Sequence, residues 1–429
     1  MAARAKLSVW GVVVLLAAIV VLYVWSTRPV RRPAEPPEFV TTAQVDGLPD
    51  DVRYYYRNLE SVQNFEEELV ESWNRERAEL GRHGPYPEHH LPPAAYLAIS
   101  GGGDNGAFGA GLLSGWTKHG TRPQFKIVTG VSTGALIAPF AFLGPEYDER
   151  LKSIYTGISM KDVALPRWMV LALFRDAMAD TSPLYHLMER TITRDILDKI
   201  AAEYDKGRIL IVGTTNLDAR RPVYWNITRI AASRSPSALQ TVRKILMASA
   251  AIPGTFPPVM IDVHVGEKRY QEMHVDGGTA NQVFTYPVAT ELSELSRRNL
   301  ASRDRSLYII RNARLDPDWA QVDRRTLPIA MRAIQCLIQY QGIGDLYRIF
   351  TITRRDHVAY NLAFIPETFR AEKKRDFDTE YMRKLFELGY DMGSNGYSWA
   401  RHPPILFSGE GDPTLARGGD PLVEPESAR

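Results

Sequence analysis

The chain predicts an α/β fold, a mainly parallel sheet covered by helices on both faces, preceded by one transmembrane helix. Three observations carry this. From residue 95 onward, short apolar runs alternate with helical patterns. Several of those runs are apolar throughout, as strands buried on both faces are. Residues 7 to 25 form one nearly unbroken apolar stretch.

That stretch comes first. Between Leu7 and Trp25 only Ser8 and Tyr23 carry a side-chain hydroxyl. At ~1.5 Å per residue it nearly matches a hydrocarbon core of about 30 Å. Trp10, Tyr23 and Trp25 lie near its ends, where amphipathic rings suit the headgroup zone. A cleaved signal peptide would want a shorter core and a small-x-small site, whereas this run ends Tyr-Val-Trp-Ser-Thr-Arg. We therefore expect residues 1–27 to be an uncleaved single-pass anchor. Arginines follow the run and Arg4 and Lys6 precede it, so charge does not fix its orientation.

Residues 28–94 read as a spacer and helical segment. The proline-rich start suits an extended linker. Beyond it, Asp50 to Leu80 is helix-prone, with Leu59, Val62, Phe65, Leu69 and Trp73 at helical spacing. His83, His89 and His90 sit in a Gly- and Pro-rich loop without carboxylates at ligand spacing, so no metal is expected there.

The alternating region follows. Strands are expected at 95–100, 125–129, 208–214, 223–227 and 306–311. Helices are expected at 107–119, 135–143, 237–249, 325–349 and 378–390. We divide this region into a catalytic domain, 95–290, and an α/β extension of it, 291–408. Residues 409–429 are rich in Gly, Pro and acid and read as a disordered tail.

Composition sets limits. With 429 residues, 45% hydrophobic and 24% charged, the chain can bury a large core. A net charge of +2 argues against a nucleic-acid partner. The single cysteine, Cys336, forms no intrachain disulfide and no cysteine-based zinc site. Its neighbours Ile334, Leu337 and Ile338 make it read as a buried small hydrophobe.

Three motifs carry chemistry. Gly130-Val131-Ser132-Thr133-Gly134 joins a strand to a helix. This is the context of a nucleophile elbow, in which Gly130 and Gly134 keep the turn tight and the helix N-terminus supplies N–H groups. Gly101-Gly102-Gly103-Asp104-Asn105-Gly106 also lies between a strand and a helix. It matches a dinucleotide fingerprint literally, yet no acidic residue stands between Asp104 and Glu146 to hold a ribose. An oxyanion hole explains its glycines better. Asp276-Gly277-Gly278, which follows Tyr270 to Val275, places a carboxylate on a sharp turn. By itself that is ordinary turn chemistry.

In this order the three motifs resemble the patatin-like phospholipase family, over roughly residues 95 to 290. Thr215 to Asp218 and Met247 to Pro253 resemble it too. The resemblance implies a three-layer α/β/α fold and a lipid acyl hydrolase of the phospholipase A or lysophospholipase kind. It implies Ser132 as nucleophile and Asp276 as proton acceptor, without histidine. Gly101, Gly102, Gly103, Gly106 and Thr133 would line the oxyanion hole, and Gly277 and Gly278 would shape the acidic turn. No cofactor is required. The partner implied is lipid at a membrane interface, and the bacterial type of the resemblance implies an inner-membrane location. Oligomeric state is left open.

One departure concerns the head group. Many members carry Arg or Lys before the last glycine of the loop, where this chain has Asn105 after Asp104. Two other readings stay open. A histidine-dependent esterase would bring His357 or His402 to Ser132, and a non-catalytic membrane-tethered scaffold would use neither. An exposed aspartate, pKa ~3.9, is a poor base at neutral pH, so the dyad needs a buried Asp276 or concerted proton transfer.

Overall fold

The computed structural model describes residues 32–82, 90–166, 176–317 and 319–404. The expected anchor, the first residues of the spacer, His83 and His89, and the tail from residue 405 lie outside the described residues. Among the described residues no helix is long and apolar enough to cross a membrane.

Twelve strands are described. They are β1 (Gln44–Val45), β2 (Arg53–Tyr54), β3 (Ala94–Ile99), β4 (Phe125–Val131), β5 (Leu165–Pro166) and β6 (Ala179–Asp180). The rest are β7 (Ile209–Asn216), β8 (Arg221–Asn226), β9 (Val259–Val265), β10 (Lys268–Asp276), β11 (Arg305–Arg311) and β12 (Val358–Phe364). β5 and β6 pair only with each other. The others form one sheet in the order β1-β9-β10-β7-β4-β3-β11-β12, with β8 bridging β7 and β2.

The run β7-β4-β3-β11-β12 is parallel throughout. β1, β2, β8, β9 and β10 attach antiparallel on one side. The sheet is therefore a parallel core extended by antiparallel strands, and segments either side of residues 95–290 contribute to it.

Side chains of the core strands alternate between two apolar layers. Leu97, Ile99, Val128, Leu210 and Val212 pack one way, with the helices Gly106–His119, Thr133–Leu143, Ala238–Ser249 and Thr379–Ser394. Tyr96, Ala98, Ile127, Ile209 and Ile211 pack the other way, with the helices Leu59–Arg82 and Thr326–Arg355. Helices on both faces make three layers.

The first helix begins at Leu59 rather than near Asp50, because Arg53 and Tyr54 pair with β8 instead. Its Val62, Phe65, Leu69 and Trp73 are buried, as their spacing requires, while Leu59 is exposed. Cys336 corrects the sequence reading. It is exposed, because none of the described side chains from Thr326 to Gln341 is buried. The helix reaches the core only from Gly342 onward.

Candidate active site

The parallel strands end at one edge. Ile99 pairs with Gly130 and Ile310, and Val131 pairs with Gly213. Each chain leaves this edge into a loop or a helix, so the residues just beyond the strands converge.

Ser132 is the first residue after β4 and caps the Thr133–Leu143 helix with φ 54° and ψ −126°. A non-glycine residue at this positive φ is strained, and the strain turns its side chain out of the strand direction. The turn closes because Gly134 has no side chain. A Cβ there would lie closer than 3 Å to the carbonyl oxygens of Ile99 and Ser100. The Ser132 N–H donates to Ser249 Oγ at 3.0 Å, and Ser249 Oγ donates to the Gly213 carbonyl at 2.7 Å.

Asp276 arrives from the antiparallel side. It ends β10 opposite Thr214, one residue beyond the Gly213 that faces Val131. Ser132 Oγ donates to Asp276 Oδ2 at 2.6 Å. The Gly278 N–H holds the other carboxylate oxygen at 2.7 Å, and Gly277 fits tightly against the Gly213 carbonyl. Both side chains are nearly closed off, Ser132 at 7% exposure and Asp276 at 5%. Burial pushes the Asp276 carboxyl up to about 6, against the pull of the hydrogen bonds from Ser132 and Gly278.

The glycine loop divides in two. The Gly101 N–H donates to the Gln282 carbonyl, and the Gly106 N–H to the carbonyls of Asp104 and Gly103. Neither is free for an oxyanion, which corrects the sequence reading of those two glycines. Gly106 instead makes room, since a Cβ there would collide with Thr133 and Tyr155. The N–H groups of Gly102, Gly103 and Thr133 donate to no described group. Gly102 abuts the Asn312 carbonyl too closely for any side chain, and Gly103 lies at φ 58°. The Thr133 hydroxyl is 2.6 Å from Tyr155 Oη.

Asp104 and Asn105 turn away toward the C-terminal segment. Asp104 takes Lys373 Nζ at 2.9 Å and the Phe377 N–H at 2.9 Å. Tyr381 Oη donates to Asn105 Oδ1 at 2.8 Å. Lys373 is thus a cation at the glycine loop that the sequence pattern did not reveal.

An apolar channel opens on Ser132. Leu136, Phe140, Ile158, Leu187, Ile252 and Phe256 are among its lining, with Gly103, Ser132 and Thr133 at one end. No lining side chain is charged.

The two candidate histidines do not reach Ser132. His357 is exposed between the Thr326–Arg355 helix and β12, at the opposite edge of the sheet. His402 meets the Pro403 carbonyl. His274, two residues before Asp276, is buried between Thr214 and Glu272 and is structural. Sequence reasoning also missed Ser249, Gln282 and Asn312. Only Ser249 carried a signal, inside the Met247 to Pro253 segment. Among the described residues no group of histidine, cysteine and carboxylate side chains could hold a metal ion.

No curated protein matches the chain. Among solved structures it is similar to VipD from Legionella pneumophila, at 13% identity and a TM-score of 0.36. The match covers 72% of this chain and 66% of that one, so this chain spans just under two thirds of VipD. A family model, patatin-like phospholipase, matches residues 97–289, a range that includes the glycine loop, Ser132 and Asp276. Residues 97–289 of this chain belong to the patatin-like phospholipase family.

Proposed function

We propose that the protein is a lipid acyl hydrolase working through a Ser132–Asp276 dyad. The observation that carries this is the 2.6 Å hydrogen bond from Ser132 Oγ to Asp276 at the end of an uncharged apolar channel. The channel takes an acyl chain, and the ester carbonyl lies at Ser132. Asp276 accepts the hydroxyl proton as Oγ attacks the carbonyl carbon. The tetrahedral oxyanion is held by N–H groups of Gly102, Gly103 and Thr133, with the positive end of the Thr133–Leu143 helix behind them. The proton passes from Asp276 to the departing alcohol. Water, deprotonated by Asp276, then hydrolyses the acyl-enzyme and restores Ser132.

Burial of Asp276 supports its role. A carboxylate raised to about 6 is a better base than an exposed one, yet is mostly ionised at neutral pH. The apolar run at residues 7–25 supports tethering to a bacterial inner membrane, where a lipid hydrolase meets its substrate at high local concentration.

The test is direct. Ser132 is expected to react with a fluorophosphonate probe, and Ser132→Ala to lose both labelling and hydrolysis of a short acyl ester. Mass spectrometry of products from a lipid panel then names the class. Hydrolysis by Ser132→Ala at the wild-type rate would remove the nucleophile.

A further inference from the structure

The Thr326–Arg355 helix is twice the length its strands need. It connects two parallel strands of seven residues each, β11 and β12. Asp345 fixes its level. Its carboxylate accepts the N–H groups of Gln282 and Val283, and the Gln282 carbonyl accepts the Gly101 N–H. Asp345 is therefore level with the glycine loop. Gly342 packs on the guanidinium of Arg311, the last residue of β11. Residues 326–341, roughly 24 Å of helix, run outward from there past the edge where the active site opens.

This overhang is amphipathic with the wrong face outward. At 100° per residue, Ile329, Met331, Ile334, Leu337, Ile338 and Tyr340 fall within an arc of roughly 200°. All six are exposed, Leu337 at 70%. Arg325, Arg332, Gln335 and Gln339 share the other arc. Gln339 on that side faces the protein, donating to the carbonyls of Arg314 and Leu315. Trp319, in the loop before the helix, is 86% exposed. From Arg324 to Gly344 the chain holds three arginines and no acidic residue.

A second observation gives the direction. The chain enters the described structure at Arg32 and Pro33. The Pro33 carbonyl accepts the Gln271 N–H, and Arg32 bonds the Gln271 carbonyl and Asp218. His274 pairs with Asn216, the last residue of β7. Gln271 thus lies three residues, roughly 10 Å, beyond the same edge of the sheet. Six residues separate Trp25, the end of the apolar run, from Arg32, and the seven steps between them span at most about 25 Å.

We infer that the overhang, residues 326–341 with Trp319, is a membrane-docking surface. It lays its apolar face among the headgroups of an anionic bilayer and turns the mouth of the acyl channel to the lipid. An uncharged apolar arc flanked by arginines fits such a surface. The inference rests on the lipid-hydrolase reading for its purpose but not for its test.

Cys336 lies in the overhang, is exposed, and is the only cysteine in the sequence. It can carry an environment-sensitive NBD label in the otherwise unaltered full chain. Reconstituted in phosphatidylglycerol–phosphatidylcholine vesicles, the label is expected to be shielded from iodide and quenched by doxyl groups on the lipid chains. Leu337→Asp with Ile338→Asp is expected to reverse both. The same pair is expected to cut vesicle phospholipid hydrolysis tenfold or more while leaving kcat/KM on a soluble short ester unchanged. That unchanged value also shows the variant is folded. Arg324→Gln with Arg325→Gln is expected to weaken insertion about twenty-five-fold on anionic vesicles, about fivefold per arginine, and to spare zwitterionic ones. A label as open to iodide as in water would overturn the inference. So would shielding without lipid quenching that is lost on dilution into excess lipid, which would make the face a contact between two copies. Failure of Ser132 to react with fluorophosphonate would sink the hydrolase reading alone, since the label reads membrane contact independently.

Discussion

Asp276→Asn is expected to make the protein more stable and almost inactive. The carboxyl is displaced from its ordinary 3.8 to about 6, and burial is the largest cause. A folded pKa above the unfolded one means that the native state prefers the protonated form. The stability this gives is complete below pH 3.8 and is lost as pH rises through about 6. At neutral pH the ionised group therefore burdens the fold by about 3 kcal/mol at most, from about 2 pK units at 1.36 kcal/mol each. Asparagine removes that burden. Its amide oxygen can still accept from Gly278 N–H and its NH2 can donate to Ser132 Oγ, so both hydrogen bonds can survive with the geometry nearly unchanged. Activity should fall by at least 10²–10⁴-fold, the usual worth of a general base. In wild type, kcat/KM on a soluble ester should climb tenfold per pH unit up to about 6 and then level off. The assays are a pH–rate profile and thermal melts of both proteins at pH 4 and pH 8. The variant's advantage should appear at pH 8 and vanish at pH 4. A rate limb unchanged in Asp276→Asn, or one abolished by His357→Ala, would refute the dyad.

The other expectations follow from single contacts. Ser249→Ala leaves the Ser132 N–H without its acceptor, at about 1–3 kcal/mol, and should lower kcat far more than it raises KM. Gly134→Ala drives a methyl into two carbonyls beneath the elbow and should abolish fluorophosphonate labelling, even in the fraction that folds. Glu35 is buried against Glu272, and burial with that neighbouring carboxylate raises it to about 8 despite Arg53. The stability it gives is complete below pH 4.5 and lost as pH rises through about 8, so Glu35→Gln should hold its Tm at pH 9 where wild type declines. Asn105→Arg breaks the Tyr381 hydrogen bond, so it should lower activity on phospholipid and neutral glyceride alike and leave their kcat/KM ratio unchanged. A ratio that rises would show that this position does read the head group.

The parallel core was legible because its strands are buried on both faces and so read as unbroken apolar runs. Ala94–Ile99 follows this rule throughout, and Ile127–Val128, Ile209–Val212 and Leu307–Ile310 are the apolar stretches of the other three strands. The β9–β10 hairpin does not. Its strands carry Asp262, His264, Glu272 and His274, and two of these are buried in a polar network that apolar patterning cannot foresee. β2 is hidden within the helix-prone stretch from Asp50 because two residues have no period. The elbow and the acidic turn could be located from glycine spacing, since close backbone approach forbids side chains there. Which glycine N–H groups stay free could not be read, because the partners of Gly101 and Gly106 depend on Gln282 and on the helix start. Cys336 misled for a related reason. Apolar spacing tells that a helix has an apolar face, not that anything covers it.

The site concentrates costs that the rest of the fold must carry. Ser132 holds a strained backbone, on the order of 1–3 kcal/mol. Beside it Asp276 keeps a buried carboxylate with no cation among the groups that shift it, only two hydrogen bonds. Each cost is tied to a rigid support. The elbow is clamped through Ser249 to the Gly213 carbonyl, and the acidic turn packs on that same carbonyl through Gly277. One peptide of β7 therefore sets the distance between Ser132 and Asp276. β7 can do so because it is buried along its whole length, between parallel β4 and antiparallel β8 and β10. A cation beside Asp276 would relieve its burial, but would also draw its pKa down and weaken it as a base. The raised carboxyl, the strained serine and the shared Gly213 support are on this reading parts of one device, in which stability is conceded at two adjacent residues so that a serine can be activated without histidine.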